Sequence, residues 1–149
     1  MLPLKNVLMR QVIEIRIECR SISKGEGKGP VLSTKDPISF LGTVDPETGN
    51  IIDPNHELHG KCIKDSILIF PYGKGSTVGS YVLYQLKKNG CAPSGMINID
   101  SEPIVAVGAI ISDIPLVDRP NVDIFKVIVE GDEVIVNGSE GYLEITGSK

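Results

Sequence analysis

One short segment of the chain combines glycines, a lysine and two hydroxyl side chains: Gly73, Lys74, Gly75, Ser76 and Thr77. It follows an apolar run and precedes apolar residues at helical spacing, which predicts a strand, a tight turn and a helix N-terminus. The two hydroxyl residues suit the N-cap position. Glycines allow close backbone approach, and free N–H groups at a helix N-terminus favour an anion. The segment therefore predicts an anion-binding turn with a reactive hydroxyl, although an ordinary capped helix has the same spacing.

The glycine spacing excludes two common phosphate-binding loops. No Gly-Lys-Ser/Thr follows a four-residue spacer after the first glycine, so the segment is not a Walker A loop. The third glycine is out of register for a dinucleotide fingerprint, and no βαβ unit is evident downstream. Lys74 is either a solvated lysine or the partner of a phosphate or alkoxide.

Two further groups of residues have types that can do chemistry. His56, His59 and Cys62 are spaced like metal ligands, but the segment is rich in turns and offers no fourth ligand. We therefore expect exposed histidines and a buried cysteine. Asp45 and Asp53 could act as an acid or a base, yet each precedes a proline, and Asp-Pro is first of all a turn former.

Composition limits the class of protein. The chain has 149 residues, a net charge of −4, 5% aromatic residues and no tryptophan, which predicts one soluble domain over residues 1–149 with an aliphatic core. The charge offers no basic face for nucleic acid. No apolar run is long enough for a membrane span or a signal-peptide core, so we expect a cytoplasmic location, with residues 1–9 flexible.

The cysteine pattern argues against a disulfide framework. Cys19, Cys62 and Cys91 are widely spaced and odd in number, as expected for reduced thiols. No Cys-x-x-Cys pair is present, so we expect this chain alone to hold no iron–sulfur cluster and no structural metal.

The element pattern predicts seven or eight short strands and one principal helix. Clean alternation over residues 12–20, including Ile13, indicates a half-buried strand, and residues 23–29 are expected to be a polar loop. Residues 36–60 have no periodicity, but their scattered apolar side chains favour an ordered, functional loop. Further strands are predicted at 30–32, 63–70, 96–99, 104–111, 124–129 and 134–145, with a hairpin at Asn137-Gly138 and the helix ending near Lys88. The result is a mainly β domain with some helix, of barrel or β/β/α type.

The order of several short motifs resembles the aconitase X swivelling-domain family over roughly residues 10–145. The matching motifs are Gly-Pro-Val-Leu-Ser at 29–33, Pro-Ile-Ser-Phe at 37–40, Val-Asp-Pro at 44–46, Thr-Gly at 48–49 and the glycine–serine turn at 71–80. The resemblance implies a swivelling β/β/α, barrel-like domain that caps a larger catalytic subunit.

The resemblance also implies an activity. The two subunits together would form a hydro-lyase that dehydrates (R)-5-phosphomevalonate to trans-anhydromevalonate 5-phosphate, in an archaeal mevalonate route to isoprenoids. The large subunit would hold an iron–sulfur cluster of the 4Fe-4S type. Related aconitases carry a Gly-x-Gly-Ser-Ser-Arg turn with a serine base. By position Ser76 becomes the base, Thr77 stands for the second serine, and Val78 replaces the arginine that binds a carboxylate.

The loss of that arginine leaves Lys74 or the partner subunit to supply positive charge beside Ser76. Substrate contacts are expected from the turn and from the loop at 37–49, through Gly73, Lys74, Gly75, Thr77, Ser39, Gly42 and Asp45. Two other functions remain open at this point. One is a small subunit that dehydrates another hydroxy acid, such as a hydroxyproline; the other is a non-catalytic module that binds an anion.

Overall fold

The computed structural model describes residues 15–146, which form eight strands and four helices. The expectations for residues 1–9 and for Ile13 lie outside the described residues. The strands are β1 Ile15–Glu18, β2 Arg20–Ser23, β3 Glu26–Ser33, β4 Ile67–Phe70, β5 Gly95–Asn98, β6 Leu116–Asp118, β7 Glu133–Asn137 and β8 Tyr142–Thr146. The helices are α1 Phe40–Thr43, α2 Gly79–Lys88, α3 Pro103–Ile111 and α4 Ile124–Val127.

The strands follow the order β1-β8-β7-β3-β4-β5-β6-β2. β1 and β2 lie at opposite ends of this order, yet only Cys19 separates them in the chain. The sheet therefore closes on itself through residues 15–23, which confirms the barrel-like prediction. β3 to β6 are parallel, whereas β1, β8, β7 and β3 form an antiparallel half.

The core has two layers, one on each face of the parallel strands. In β4, Ile67 and Ile69 pack against the antiparallel half and α4, whereas Leu68 and Phe70 pack against α1, α2 and α3. All four side chains are almost completely buried. A continuous apolar run is what a parallel strand covered on both faces requires. The layers are thus sheet, sheet and helix, which confirms the predicted β/β/α class.

The predicted strand at 104–111 was wrong, because the segment forms helix α3. Glu102 is its N-cap, and Pro103 occupies the first turn. β5 and β6 are parallel neighbours, and parallel neighbours need a crossover, which is usually a helix. The prediction of a single principal helix fails for the same reason. No helix between residues 15 and 146 is long and apolar enough to cross a membrane.

Other predicted boundaries also move. The expected polar loop at 23–29 includes the first half of β3, because Glu26 to Pro30 pair with β7. The strand expected over 12–20 stops at Cys19 and restarts as β2. The segment 124–129 contains the one-turn helix α4 rather than a strand, and β6 lies in a segment for which no strand was predicted. The hairpin at Asn137-Gly138 is confirmed by the pairing of β7 with β8.

Candidate functional site

The loops that follow the parallel strands meet at one edge of the sheet. β3 leads into residues 34–39, β4 into the turn at 71–78, and β5 into residues 99–102. In open parallel sheets, ligands bind outside the carboxyl ends of the strands. The glycine–serine turn therefore lies where the fold most readily forms a site.

Ser76 is exposed in this turn, just before helix α2. Its Oγ accepts a hydrogen bond from the Val78 backbone N–H at 3.0 Å, and its carbonyl accepts from Gly79 at 2.9 Å. The N-cap of α2 is Val78, so the expectation that Ser76 or Thr77 is the cap is corrected. The turn holds a hydroxyl beside a backbone donor at a helix N-terminus.

The loop after β3 fixes the position of the turn. Ile38 forms a parallel bridge with Gly73: its N–H donates to the Tyr72 carbonyl at 3.2 Å, and its carbonyl accepts from the Lys74 N–H at 3.0 Å. Gly75 has a φ of +90°, and a Cβ there would overlap Ser39 Oγ. The backbone of the turn thus runs directly against Ser39, which explains why a glycine is needed there.

The loop after β5 closes the other side of the turn. A Cβ built on Gly73 would lie 2.6 Å from Glu102 Oε2 and would overlap the Val105 side chain. The Glu102 carboxylate accepts from the backbone N–H groups of Ile104 at 3.0 Å and Val105 at 2.8 Å. Glu102 is therefore committed to capping α3.

Helices α2 and α3 are joined beside the site. Ser80 Oγ donates to the Ile104 carbonyl at 2.6 Å. The hydrogen bond links the first turn of α2 to the first turn of α3, so the two loops that flank the site are held together.

A polar cavity of about 650 Å³ opens beside the turn. It is lined by Asp36, Pro37, Ser39, Leu41, Gly42, Thr43, Asp53, Asn55, His56 and Lys74. Three of the predicted substrate contacts, Ser39, Gly42 and Lys74, come together here. Lys74 is the only lysine or arginine in this lining.

The remaining predicted residues lie elsewhere. Thr77 lines a separate, apolar cleft next to α3. Asp45 forms a turn, in which its Oδ1 accepts from the Glu47 N–H at 2.9 Å, and it does not line the cavity. Gly73 and Gly75 form the wall between the neighbouring loops.

His56 lines the cavity. From the sequence it was considered either a metal ligand or an exposed histidine in a loop. Its Nε2 lies 3.1 Å from the Pro37 carbonyl, which can only accept, and its Nδ1 accepts from the Leu58 N–H at 3.0 Å. These contacts assign the neutral tautomer with the proton on Nε2. Cys62 is exposed, so the expectation of a buried cysteine at this position is corrected.

The cysteines do not form a cluster-binding set. Within residues 15–146, no group of three or more His, Cys, Asp or Glu side chains could hold a metal ion. Cys62 donates to the Thr48 carbonyl at 3.4 Å and Cys91 to the Glu47 carbonyl at 3.3 Å. Burial raises the pKa of the Cys19 thiol to about 12, so it stays protonated and is a poor metal ligand. The described residues of this chain therefore do not fit an iron–sulfur cluster.

A buried carboxylate stabilises the same edge of the sheet. Asp118, at the end of β6, accepts two hydrogen bonds from the Arg20 guanidinium at 2.9 and 2.8 Å, and two from Ser101 at 2.8 and 2.7 Å. Burial alone would raise the pKa of Asp118, but the hydrogen bonds from Arg20 and Ser101 outweigh it and lower the pKa. Since Arg20 belongs to β2 and Asp118 to β6, this ion pair stabilises the pairing of the two strands that closes the barrel.

Glu102 was not identified from the sequence as a residue beside the site, and His56 was considered only as a metal ligand or an exposed loop residue. The signal for Glu102 was present locally, because a capping side chain followed by proline marks a helix start. His56 reaches the cavity through its contact with Pro37, nineteen residues away in the chain. No local pattern reports such a contact.

Comparison with known proteins gives consistent matches. Residues 16–145 match the family described as the aconitase X swivel domain. A phosphomevalonate dehydratase small subunit of Methanococcoides burtonii is 60% identical over 90% of this chain and 98% of its own length. The same subunit of Pyrococcus abyssi is 49% identical over 89% of this chain and 100% of its own length. The crystal structure of Thermococcus kodakaraensis aconitase X in its holo form superposes with a TM-score of 0.84, at 47% identity, over 89% of this chain and 99% of the matched chain.

Proposed function

Because the chain belongs to the aconitase X swivel-domain family, we propose that it acts as the small subunit of a hydro-lyase that dehydrates phosphomevalonate. Relatives that carry the name phosphomevalonate dehydratase small subunit match it over nearly their whole length. The substrate is then (R)-5-phosphomevalonate and the product trans-anhydromevalonate 5-phosphate. The small-subunit name implies a large subunit as partner.

The observation that carries this proposal is the setting of Ser76. Its hydroxyl is exposed, and its Oγ accepts the Val78 N–H at 3.0 Å. A serine hydroxyl is a weak base until it loses its own proton. Hydrogen bonds to an ionised acceptor are roughly twice as strong as neutral ones, and a helix N-terminus favours negative charge. The turn therefore stabilises the serine alkoxide that proton abstraction requires.

In this reaction, Ser76 removes a proton from the carbon next to the substrate carboxylate. The electron pair of that C–H bond forms the carbon–carbon double bond, and the C–O bond on the neighbouring carbon breaks so that the hydroxyl leaves as hydroxide. Return of the abstracted proton to that hydroxide gives water and restores the serine alkoxide. Lys74 lines the cavity adjoining the turn, and its ammonium supplies positive charge for an anionic group of the substrate. Ser39 and Gly42, in the same lining, contact the substrate there.

We assign the iron–sulfur cluster, which the family resemblance implies, to the large subunit. The arrangement of thiols in this chain supports that assignment, because Cys62 and Cys91 each donate to a backbone carbonyl and Cys19 stays protonated. The departure of the hydroxyl would then depend on the partner, and proton abstraction on this chain.

The test combines this chain with the large subunit under anaerobic conditions and follows (R)-5-phosphomevalonate by proton NMR. A new vinylic signal that requires both chains supports the proposal. A stable complex that leaves phosphomevalonate unchanged but dehydrates another hydroxy acid, such as a hydroxyproline, would show that this other acid is the substrate. Phosphate-ester binding by this chain alone, without turnover in the presence of the large subunit, would instead indicate an anion-binding module.

A further inference from the structure

Helix α3 has a composition unsuited to a solvent-facing helix. Its nine residues, Pro103 to Ile111, contain no charged side chain and no polar one. Helices that are apolar all round are normally covered on every side. Here Val105 and Ala109 pack into the core, but the opposite face is not covered by the described part of the chain.

The uncovered face forms a continuous stripe. Val107 is 49% exposed, Ile110 52% and Ile111 53%. Positions three and four apart are neighbours on a helix surface, so Val107 adjoins both Ile110 and Ile111. Contiguous exposed apolar patches, when they are large, mark interaction sites.

The stripe continues into a cleft that ends at the proposed catalytic turn. The cleft has a volume of about 250 Å³ and is lined by Thr77, Ser80, Pro103, Ile104 and Val107. Thr77 directly follows Ser76 in the chain. A body that covers the α3 stripe and fills this cleft therefore lies against Thr77, the residue next to Ser76 in the turn.

We propose that the stripe of Val107, Ile110 and Ile111, together with this cleft, is the docking face for the large subunit, whose contact there is an apolar side chain inserted between α2 and α3. The inference rests on the proposed function, since only a partner that completes the reaction must reach Ser76. A second copy of this chain has no such need. The docking face would thus place the partner against the turn and exclude water from it.

The test measures the dissociation constant of the two subunits by isothermal titration calorimetry under anaerobic conditions. Val107→Glu is expected to weaken binding at least about tenfold, because burying an unpaired carboxylate in an apolar contact is costly. Val107→Ala should weaken it less. Glutamate has a higher helix propensity than valine, so α3 should form equally well in the charged variant, which circular dichroism verifies.

The matched control is Val129→Glu. Val129 is 62% exposed and lies in the connection that leads into β7, which belongs to the antiparallel half on the other face of the parallel strands from α2 and α3. This control should bind the large subunit as the wild-type chain does. Equal weakening by both variants, or tight binding by Val107→Glu, would overturn the docking face.

Two further measurements separate this proposal from the proposed function. Turnover of phosphomevalonate by the wild-type pair tests the function independently of which face docks. If Val107→Glu weakens the complex but the wild-type pair does not turn over phosphomevalonate, the docking face is supported and the proposed substrate is wrong. Light scattering tests whether the isolated chain is a dimer. If it is, and if Val107→Glu dissociates that dimer without changing the affinity for the large subunit, the face binds a second copy of the chain and the proposal fails.

Discussion

Ser39 occupies the space that any side chain at Gly75 would need. A side chain begun at Gly75 would overlap the Ser39 hydroxyl and would bring its Cβ to 3.1 Å from Ser39 Cβ. The Ser39 hydroxyl itself donates to the Leu41 carbonyl at 3.2 Å. The loop after β3 and the turn after β4 therefore form one unit, and Ser76 is positioned by both.

Gly75→Ala should destabilise the chain and reduce activity, because alanine meets both the positive φ of +90° and the Ser39 hydroxyl. Gly60→Ala is the matched control, since Gly60 has a φ of +86° with no atom within 4 Å of the added Cβ. We expect a loss of about 1 kcal/mol in the free energy of unfolding for the control. The loss for Gly75→Ala should be about 1–3 kcal/mol larger because of the overlap. Urea unfolding measures both. Equal losses would show that Ser39 does not constrain the turn.

Ser76→Ala should lower kcat of the assembled enzyme by about a thousandfold, the range expected for loss of a positioned general base. Ser139→Ala is the control, because Ser139 is also an exposed serine whose Oγ accepts one backbone N–H, from Gly25 at 2.9 Å. The control should keep normal kcat, and both variants should bind the large subunit normally. Turnover by Ser76→Ala within tenfold of wild type would remove Ser76 from the role of base.

Acid should weaken the fold through Asp118. Its pKa is lower in the folded chain than in the unfolded chain, so its carboxylate contributes stability above the unfolded pKa of about 3.9, and this contribution is lost as the pH falls through the folded-state pKa. Asp118→Asn should lower the free energy of unfolding at neutral pH by about 2 kcal/mol. Its stability should also change less than that of wild type between about pH 5 and the acid range.

The control for Asp118 is Asp100→Asn. Asp100 pairs with Arg119 at 3.0 Å, but its side chain is 63% exposed, and exposed pairs contribute little. Thermal melts recorded across the pH range compare the three proteins. The same acid dependence in wild type and Asp118→Asn would assign the effect to other carboxylates.

Much of the fold could be predicted from local patterns. The strand predicted at 63–70 is present as the shorter β4, Ile67–Phe70, which is buried on both faces and lies at the centre of the sheet. Helix α3 could not be separated from a strand by its apolar run alone, because short runs of isoleucine and valine suit both. What decides between them is the parallel pairing of β5 with β6, which needs a crossover and is not visible in the sequence.

The candidate site divides in the same way. The turn around Ser76 is a local feature, and its glycines and hydroxyls are recognisable in sequence order. The neighbours of that turn come from distant segments: Ser39 precedes it by more than thirty residues, and Glu102 follows it by more than twenty. These contacts arise because the loops after the parallel strands lie at the same edge of the sheet. Residue spacing in the sequence therefore could not predict them.

Glu102 provides the last prediction, because one carboxylate both caps α3 and lies against Gly73. Glu102→Ala removes the acceptor for two backbone N–H groups and should cost about 1 kcal/mol of stability. Glu102→Gln keeps one acceptor oxygen and should recover part of that loss. Asp123→Ala, which removes the cap of the one-turn helix α4, where a single N–H donates at 3.2 Å, should cost less than Glu102→Ala. Hydrogen exchange of the Ile104 and Val105 amides distinguishes the cap from a general loss of stability. Faster exchange confined to these amides in Glu102→Ala supports the cap, whereas unchanged exchange would show that α3 is held by its packing alone.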